Sequence, residues 1–370
     1  QQKAIPLVLE QKNVIVSAQT GTGKTAAFAL PIIQLLFEAQ DAEKREKKIR
    51  SLVVTPTREL AIQILENFNS FSKYSNLRTT AVFGGVSLEP QKEILAKGVD
   101  ILIATPGRLI DLHLQGNIDL SAIEIFVLDE ADLMLDMGFI ADIKKIESAC
   151  PKKKQTLLFS ATMPEKIVAL AKKVIKSPVV VEINPEETTA KNIGQLLYYL
   201  PKKNKTDLCL HLLRNTINGK IIIFRRTKFG VDKLEESLLK NGYKVASIHG
   251  DKTQIVRNKA IEDFKDKKAH ILIATDVASR GIDITNVDAI INFDIPNIPE
   301  TYIHRIGRTG RAGKSGIAFS FCSPDENAYI KLIEALIEKP IKVITEHPYI
   351  IDKPKHKKLQ ANTVSKNKKG

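Results

Sequence analysis

The 370-residue sequence contains no tryptophan and only three cysteines. Cys150, Cys209 and Cys322 lie far apart, and none belongs to a CxxC pair or has a histidine at metal-ligand spacing. Neither a disulfide framework nor a zinc site is therefore indicated, and the pattern is typical of reduced cysteines in a cytoplasmic protein.

Long hydrophobic runs are also absent. Apolar stretches such as IATPGRLIDLHL are interrupted by charges and prolines before they reach the length of a membrane-spanning helix. No membrane partner is predicted. Gln1 opens no signal-peptide pattern, and we expect the sequence to start inside a domain, with further residues upstream.

The charge balance is strongly basic, with a net charge of +14 and a pI near 9.4. This suits a polyanionic partner without proving one. From Asp352 onward, seven lysines stand against one acidic residue, so the tail supplies six of the fourteen net charges. The tail is either a nonspecific anchor for such a polyanion or a solubilising extension.

Short β-branched runs alternate with helical patterns in both halves of the sequence, which predicts parallel sheets flanked by helices. The expected strands are NVIVSA, SLVVTP, TTAVFG, DILIAT, IFVLDE and TLLFSA, then KIIIF, KVASIHG, AHILIAT, AIINF and GIAFSF. Between the halves, the polar stretch NPEETTAKN lacks periodicity and predicts a linker. The predicted organisation is an α/β domain over 1–183, a linker over 184–192, a second α/β domain over 193–348 and a disordered basic tail over 349–370.

A phosphate-binding loop is predicted at AQTGTGKT, between the strand NVIVSA and an apolar helix. Gly21 and Gly23 let backbone amides face a triphosphate, Lys24 reaches the β and γ phosphates, and Thr25 offers a hydroxyl to Mg²⁺. A glycine-rich turn that binds nothing is the alternative, but it would need the strand–loop–helix context to be accidental. ATP and Mg²⁺ are the predicted ligands.

The second chemical motif is VLDEAD, in which an apolar strand leads into Asp129 and Glu130. A carboxylate at the carboxyl end of a parallel strand can hold Mg²⁺ through water, and its neighbour can orient the attacking water. We assign Asp129 to the metal and Glu130 to the water. A simple acidic turn is the alternative, which the lysine loop in the same predicted sheet argues against.

The motifs AQTGTGKT, PTREL, TPGR, DEAD, SAT and HRIGRTGR occur in the order found in the DEAD-box RNA helicases, which the sequence resembles from Gln1 to about Tyr349. The details resemble the bacterial RhlE-like subgroup most. The resemblance implies two tandem RecA-like domains and an RNA-stimulated ATPase. Where the family has a small or polar residue after Phe224, this sequence has Arg225.

For the nucleotide, the resemblance implies adenine reading by Gln1 and a ribose contact at Asp283. It assigns Arg308 and Arg311 to the γ-phosphate, where a planar guanidinium can pair two oxygens; a basic surface turn is the alternative. The remaining residues implied at the nucleotide and the domain interface are Ala18, Gln19, Thr20, Gly21, Thr22, Gly23, Lys24, Thr25, Asp132, Ser160, Thr162 and His304.

For RNA, the resemblance implies contacts along the tops of both domains. Hydroxyls, glycine amides and arginines of this kind bind phosphate and sugar without reading bases. Few aromatic residues are available, so the composition does not support sequence-specific recognition by a stacking platform. The implied residues are Thr57, Arg58, Gly84, Gly85, Thr105, Gly107, Arg108, Gly250, Gln254, Arg257, Thr275 and Asp276.

These divided motifs predict that hydrolysis requires the second domain to close on the first, and that RNA bridging both domains favours closure. Three functions remain open: an RNA helicase, an ATP-gated RNA clamp whose role is not unwinding, and a DNA helicase of the same architecture. Ribosomal precursors and RNA-decay complexes are the two settings left open.

Overall fold

The computed structural model describes residues 1–18, 23–38, 48–183, 193–279, 284, 287–310 and 316–350. Within them the named strands form two seven-stranded sheets, in which every strand pairing is parallel. The first sheet contains β1 (Val14–Ser17), β2 (Ser51–Val54), β3 (Thr79–Val82), β4 (Ile101–Ala104), β5 (Ile125–Leu128), β6 (Gln155–Ser160) and β7 (Val179–Glu182). The second contains β8 (Ile193–Tyr199), β9 (Ile221–Arg225), β10 (Val245–Ile248), β11 (Ile271–Thr275), β12 (Ala289–Asn292), β13 (Gly316–Cys322) and β14 (Lys342–Val343).

Helices connect the strands of both sheets. Those around the first sheet are α1 (Ala4–Leu9), α2 (Lys24–Glu38), α3 (Arg58–Phe71), α4 (Glu89–Ala96), α5 (Pro106–Leu114), α6 (Ala131–Asp136), α7 (Ile140–Ala149) and α8 (Glu165–Val174). Those around the second are α9 (Lys205–Asn215), α10 (Lys228–Lys240), α11 (Gln254–Lys265), α12 (Asp276–Ser279), α13 (Pro299–Ile306) and α14 (Asn327–Leu336), with 3-10 turns at Lys202–Asn204 and Pro324–Glu326.

The strand orders of the two sheets correspond. They are β3-β4-β2-β5-β6-β1-β7 and β10-β11-β9-β12-β13-β8-β14. This confirms the predicted fold class, and all eleven predicted strands are present. The positions of the domain boundaries stay a prediction, because the linker at 184–192 and the tail from 351 lie outside the described residues.

Each sheet is buried on both faces, as expected when helices cover a parallel sheet on both sides. Along β2, Leu52 and Val54 pack into one hydrophobic cluster and Val53 into the other. Along β9, Ile222 and Ile223 likewise face opposite clusters. This accounts for the near-continuous apolar runs of the central strands.

The predicted motifs lie at the carboxyl ends of these strands, where ligands bind in open α/β sheets. Lys24, Arg58, Asp129 and Ser160 lie at or near the carboxyl ends of β1, β2, β5 and β6. The order of the strands therefore gathers motifs that are far apart in sequence at one edge.

Candidate functional site

A buried ion pair joins the phosphate-binding motif to the acidic motif. Lys24 begins α2 and its Nζ lies 2.7 Å from Oε1 of Glu130, which follows β5. Burial alone lowers the pKa of Lys24, but the charges of Glu130 and Asp129 outweigh it and the pKa is raised. Lys24 is therefore a fixed cation at the sheet edge. Gln19, Thr20, Gly21 and Thr22 lie outside the described residues.

Asp129 is the most perturbed carboxylate beside this lysine. Burial is the main cause that raises its pKa, to about 7, with the charge of Glu130 as the next cause. Its Oδ1 is buried and has no hydrogen-bond partner within the part of the chain that the structure describes. A buried carboxylate oxygen without a protein partner suits a hard cation such as Mg²⁺, whose preferred ligands are oxygens.

Glu130 adopts a left-handed backbone conformation, with φ 54° and ψ 55°, immediately before α6. This region is unfavourable for residues other than glycine, at a cost of about 1–3 kcal/mol. The surrounding structure holds Glu130 there through the ion pair with Lys24 and the buried strand that precedes it. Such conformations cluster at functional sites, where they aim a side chain.

Asp132 is hydrogen-bonded to the SAT motif. Its Oδ2 accepts from both the backbone N and Oγ1 of Thr162, each at 2.9 Å. Ser160 Oγ accepts from the Asp132 backbone N at 3.1 Å and donates to the Thr162 carbonyl at 2.7 Å. These hydrogen bonds connect the SAT motif directly to the acidic motif.

A cavity of about 130 Å³ adjoins Lys24 on the side of the chain's first residue. Gln1 lines it, and its Nε2 donates to the Gly23 carbonyl at 3.4 Å. Gly23 has φ 80°, and a Cβ there would collide with the Gln1 amide. A polar amide at one wall and mostly apolar side chains around the rest match the needs of a nucleobase. The remaining lining residues are Lys3, Ala4, Val16, Ala18, Ala27, Phe159, Val181 and Ile183.

Three arginines, two from the first domain and one from the second, lie close together at the carboxyl ends of the strands. The pKa of Arg58 is lowered, first by burial and also by the charges of Arg257 and Arg108. Each arginine has a buried N–H group without a hydrogen-bond partner among the described residues: Arg58 Nη2, Arg108 Nη1 and Arg257 Nε. Buried unpaired donors are costly, so a cluster of three indicates that an anion completes the site.

The same cluster contains a contact between the two domains, formed by side chains of α3 and α11. Arg257 Nη2 lies 2.9 Å from Oε1 of Glu59, and Gln254 Nε2 donates to that oxygen at 2.9 Å. Glu59 lies in the first turn of α3, whereas Gln254 and Arg257 lie in the first turn of α11. The sequence predicted the last two and missed Glu59, although an acidic residue within a cationic motif was a usable signal.

The predicted RNA-contact glycines leave their backbone accessible. Ideal Cβ atoms at Gly84, Gly107 and Gly250 would meet nothing within 4 Å, whereas one at Gly85 would meet the Arg58 guanidinium at 3.0 Å. Thr57 instead caps α3, since its Oγ1 accepts from the Leu60 N. Thr105 precedes α5 as its N-cap residue and makes no side-chain cap hydrogen bond.

In the second sheet, the Asp276 carboxylate is bound by an arginine. Arg305 Nε and Nη2 lie 2.6 and 2.8 Å from its two oxygens. Arg305 also donates through Nη1 to Asn292 Oδ1 and to the Asp294 carbonyl. It is 2% exposed and ties α13 to the ends of β11 and β12. Sequence reasoning missed this residue, whose place in HRIGRTGR beside two predicted phosphate ligands was the available signal.

Of the other nucleotide-site and interface residues predicted in the second domain, the structure describes Arg308 and His304. Arg308 is buried, and its Nη2 donates to the Ser279 carbonyl at 3.4 Å. His304 lies in the last turn of α13. Asp283 and Arg311 lie outside the described residues.

Arg225, the residue where the motif departs from the family pattern, connects β9 to the segment that leads into α13. Its Nε donates to Asp294 Oδ2 at 2.9 Å, and its guanidinium lies 4.1 Å from the centroid of the Phe293 ring. Burial alone raises the pKa of Asp294, but Arg225 and the neighbouring donors outweigh it and lower the pKa. The extra charge therefore holds this segment in place.

A buried lysine continues the same network. Lys205 is 1% exposed, and its Nζ lies 2.5 Å from Glu326 Oε2 and donates to the Phe293 carbonyl at 2.8 Å. Glu326 Oε1 also accepts from Arg226 Nη2 at 2.8 Å. The start of α9, the end of β9 and the turn before α14 are thus linked by charge.

Two such sheets, with a buried lysine and adjoining carboxylates at the edge of the first, define a nucleotide-binding protein built from two RecA-like domains. Residues 1–170 match the DEAD/DEAH box helicase family model, and residues 204–313 match the model of the helicase conserved C-terminal domain. The chain belongs to the DEAD-box ATP-dependent RNA helicase family, which confirms the resemblance seen in the sequence.

Individual relatives agree with this assignment. The ATP-dependent RNA helicase CshA of Listeria monocytogenes is 44% identical over 92% of this chain, which spans 64% of that relative's length. The structure of S. cerevisiae Dbp5 bound to RNA and ADP BeF3 gives a TM-score of 0.82 at 32% identity and covers 93% of this chain and 88% of that one. A DEAD box protein from Methanococcus jannaschii gives 0.53 at 41% identity, with coverage of 92% and 91%. The RhlE-like subgroup stays a prediction.

No helix in the described ranges is long and apolar enough to cross a membrane.

Proposed function

We propose that this protein is an RNA-stimulated ATPase that uses closure of its two domains to open short RNA duplexes or remodel RNA–protein complexes. The observation that carries the proposal is the arginine cluster of Arg58, Arg108 and Arg257. It combines residues from both sheets, and its three unpartnered N–H groups suit the phosphates of one polyanion. A strand bound there contacts both domains at once and so stabilises the closed arrangement.

The nucleotide half of the site follows from Lys24. When a triphosphate binds, its γ-phosphate competes with Glu130 for the Lys24 ammonium, which releases the Glu130 carboxylate to orient and deprotonate the attacking water. Asp129 and Thr25 would hold Mg²⁺, which neutralises charge on the phosphate oxygens. Gln1, at the wall of the adjoining cavity, reads the adenine edge.

Beside Lys24, hydrolysis requires arginines that the second domain supplies. Arg308 and Arg311 stabilise the γ-phosphate charge from the second domain, so turnover depends on closure. The contact of Glu59 with Gln254 and Arg257 supports such an arrangement. The structural comparison supports it as well. The chain has a higher TM-score with Dbp5 bound to RNA and ADP BeF3 than with the M. jannaschii protein, although its sequence identity to Dbp5 is lower.

RNA is held by its backbone at the open glycines Gly84, Gly107 and Gly250, the arginine cluster and Thr275, so sequence specificity is low. The buried, unbridged cysteines support a cytoplasmic location, where ribosomal precursors and RNA-decay complexes are the candidate settings. The basic tail is proposed as a second, nonspecific anchor.

The test is steady-state ATP hydrolysis with and without single-stranded RNA, on the wild type and the Arg311→Ala variant. We expect RNA to stimulate the wild type at least tenfold, and Arg311→Ala to lose the stimulation while still binding ATP. Arg214→Ala, which alters an exposed arginine hydrogen-bonded to Asn241, is the matched control and should behave as wild type. Full RNA-stimulated turnover in Arg311→Ala would exclude its catalytic role.

Two further experiments distinguish an RNA helicase from a DNA helicase and from an RNA clamp. Single-stranded DNA of the same sequence should compete poorly with RNA for stimulation, and equal competition would favour a DNA helicase. A short RNA duplex should separate under ATP. Stable RNA retention under a non-hydrolysable analogue without strand separation under ATP would favour a clamp.

A further inference from the structure

Two large apolar side chains are exposed at the carboxyl edge of the second sheet. Phe229 is 75% exposed in the first turn of α10, and Ile255 is 82% exposed in the first turn of α11. Neither belongs to a hydrophobic cluster of the second domain. Single exposed apolar residues are common on protein surfaces and need no explanation. These two are informative because both are next to the loop that carries the proposed RNA contacts Gly250 and Gln254.

Both residues adjoin the loop between β10 and α11. Lys228, the neighbour of Phe229, forms a 2.6 Å ion pair with Asp251, which directly follows Gly250. Ile255 follows Gln254 and precedes Arg257 by two residues, and both of these polar side chains reach Glu59 of the first domain. A strand held at Gly250 and Arg257 would therefore run close to both apolar residues.

The chemistry of these side chains differs from that of the rest of the edge. Arginines and glycine amides bind phosphate, whereas a phenyl ring offers a flat apolar face. An unpaired RNA base presents a matching π face, and stacking of a base on an aromatic side chain is independent of sequence because every base has such a face. The net positive charge of the chain favours RNA over an apolar protein partner as the occupant.

We propose that Phe229 stacks on an unpaired base of the RNA strand whose backbone is held at Gly250 and Arg257, and that Ile255 makes a second apolar contact with the same strand. This inference rests on the proposed function and adds to it a residue that distinguishes unpaired from paired RNA. Inside a duplex, both faces of a base are covered by its neighbours, so the ring of Phe229 finds a partner only when the strand is single. The contact favours the open strand over the duplex.

The test compares two strands with equal numbers of phosphates. One is a labelled decamer of uridine, and the other is a labelled ten-unit abasic ribose-phosphate strand, each titrated with protein in a non-hydrolysable ATP analogue and followed by fluorescence anisotropy. We expect Phe229→Ala to bind the uridine strand about tenfold more weakly, in line with the effect of removing one aromatic stack. Its affinity for the abasic strand and its salt dependence should not change.

Two matched variants complete the design. Phe229→Trp keeps an aromatic face and should bind the uridine strand at least as tightly as wild type. Tyr74→Ala removes an aromatic residue that is 92% exposed between α3 and β3, at the opposite edge of the first sheet, and should change nothing.

The inference is overturned if Phe229→Ala binds the uridine strand as wild type does, or if it weakens both strands by the same factor. Failure of the proposed function would give a different result. The wild-type protein would then not bind the uridine strand, and RNA would not stimulate its ATPase activity.

Discussion

Arg257 and Glu59 form a 2.9 Å ion pair that joins the first helical turn after β10 in one sheet to the first turn after β2 in the other. The pair lies within the cluster proposed to bind RNA phosphates. In the closed state that we propose, Arg257 would contact both a carboxylate of the other domain and a phosphate of the RNA. One guanidinium would then link the domain contact to the RNA contact.

The first prediction concerns this pair. Glu59→Gln removes the negative charge that attracts Arg257, so we expect closure to be less favourable and the RNA concentration for half-maximal ATPase stimulation to rise about three- to tenfold, as for a partly buried charged contact. Glu66→Gln, an exposed change on the same helix, is the control. An unchanged RNA requirement in Glu59→Gln would show that the pair does not contribute to closure.

The second prediction concerns Arg108, whose Nη2 donates to the Val86 carbonyl while Nη1 remains unpartnered in the described structure. Arg108→Ala should weaken RNA binding for all sequences alike and reduce the slope of log affinity against log salt by about one, as expected for loss of one phosphate contact. Anisotropy titrations at four salt concentrations measure this slope. A loss of affinity with an unchanged slope would mean that Arg108 acts through packing alone.

The third prediction concerns the stability of the nucleotide-free protein. An acid whose pKa is about 7 when folded and near 4 when unfolded binds its proton more tightly in the folded state. Its charge therefore costs stability, fully above pH 7 and not at all below about pH 4.

Asp129→Asn should consequently raise the thermal unfolding midpoint at pH 8, raise it less at pH 5.5, and abolish ATP hydrolysis. Thermal unfolding followed by circular dichroism at both pH values measures the difference. A gain that is equal at the two pH values, or a loss at pH 8, would contradict the assignment of a buried carboxylate with a raised pKa at this position.

The fourth prediction concerns the buried charge network of the second sheet. Lys205→Met removes the ammonium that Glu326 and the Phe293 carbonyl share, and it leaves buried acceptors short of a donor. We expect a loss of about 3 kcal/mol of unfolding free energy. The exposed neighbour Lys203 provides the control Lys203→Met. Urea unfolding measures the unfolding free energy of both variants. Equal values would show that Arg226 alone is enough to stabilise the buried carboxylate of Glu326.

Much of the fold was predictable because both sheets are parallel and buried on both faces. Strands such as ILIA at β4 and IIIFR at β9 are continuous apolar runs bounded by turns, which is a strong local signal. The three strands that the sequence did not reveal lie at or near sheet edges. β7 is a partly exposed edge strand of the first sheet, and β14 is a two-residue edge strand of the second. β8 pairs with β14 and includes Gly194.

The site was predictable to the extent that its residues occur in ordered motifs. The motifs do not reveal which side chains form hydrogen bonds or ion pairs with one another. Glu59 and Arg305 depend on contacts across the fold, Glu59 with α11 and Arg305 with the ends of β11 and β12. The role of Arg225 likewise required the position of Phe293 and Asp294, about seventy residues later in the sequence.

We propose that ATP and RNA bind to the same closed state and so strengthen each other's binding. This can be tested by measuring the affinity of wild-type protein for labelled single-stranded RNA in the presence of a non-hydrolysable ATP analogue and, separately, of ADP. We expect RNA to bind at least tenfold more tightly with the analogue than with ADP. Equal affinities under the two nucleotides would contradict it.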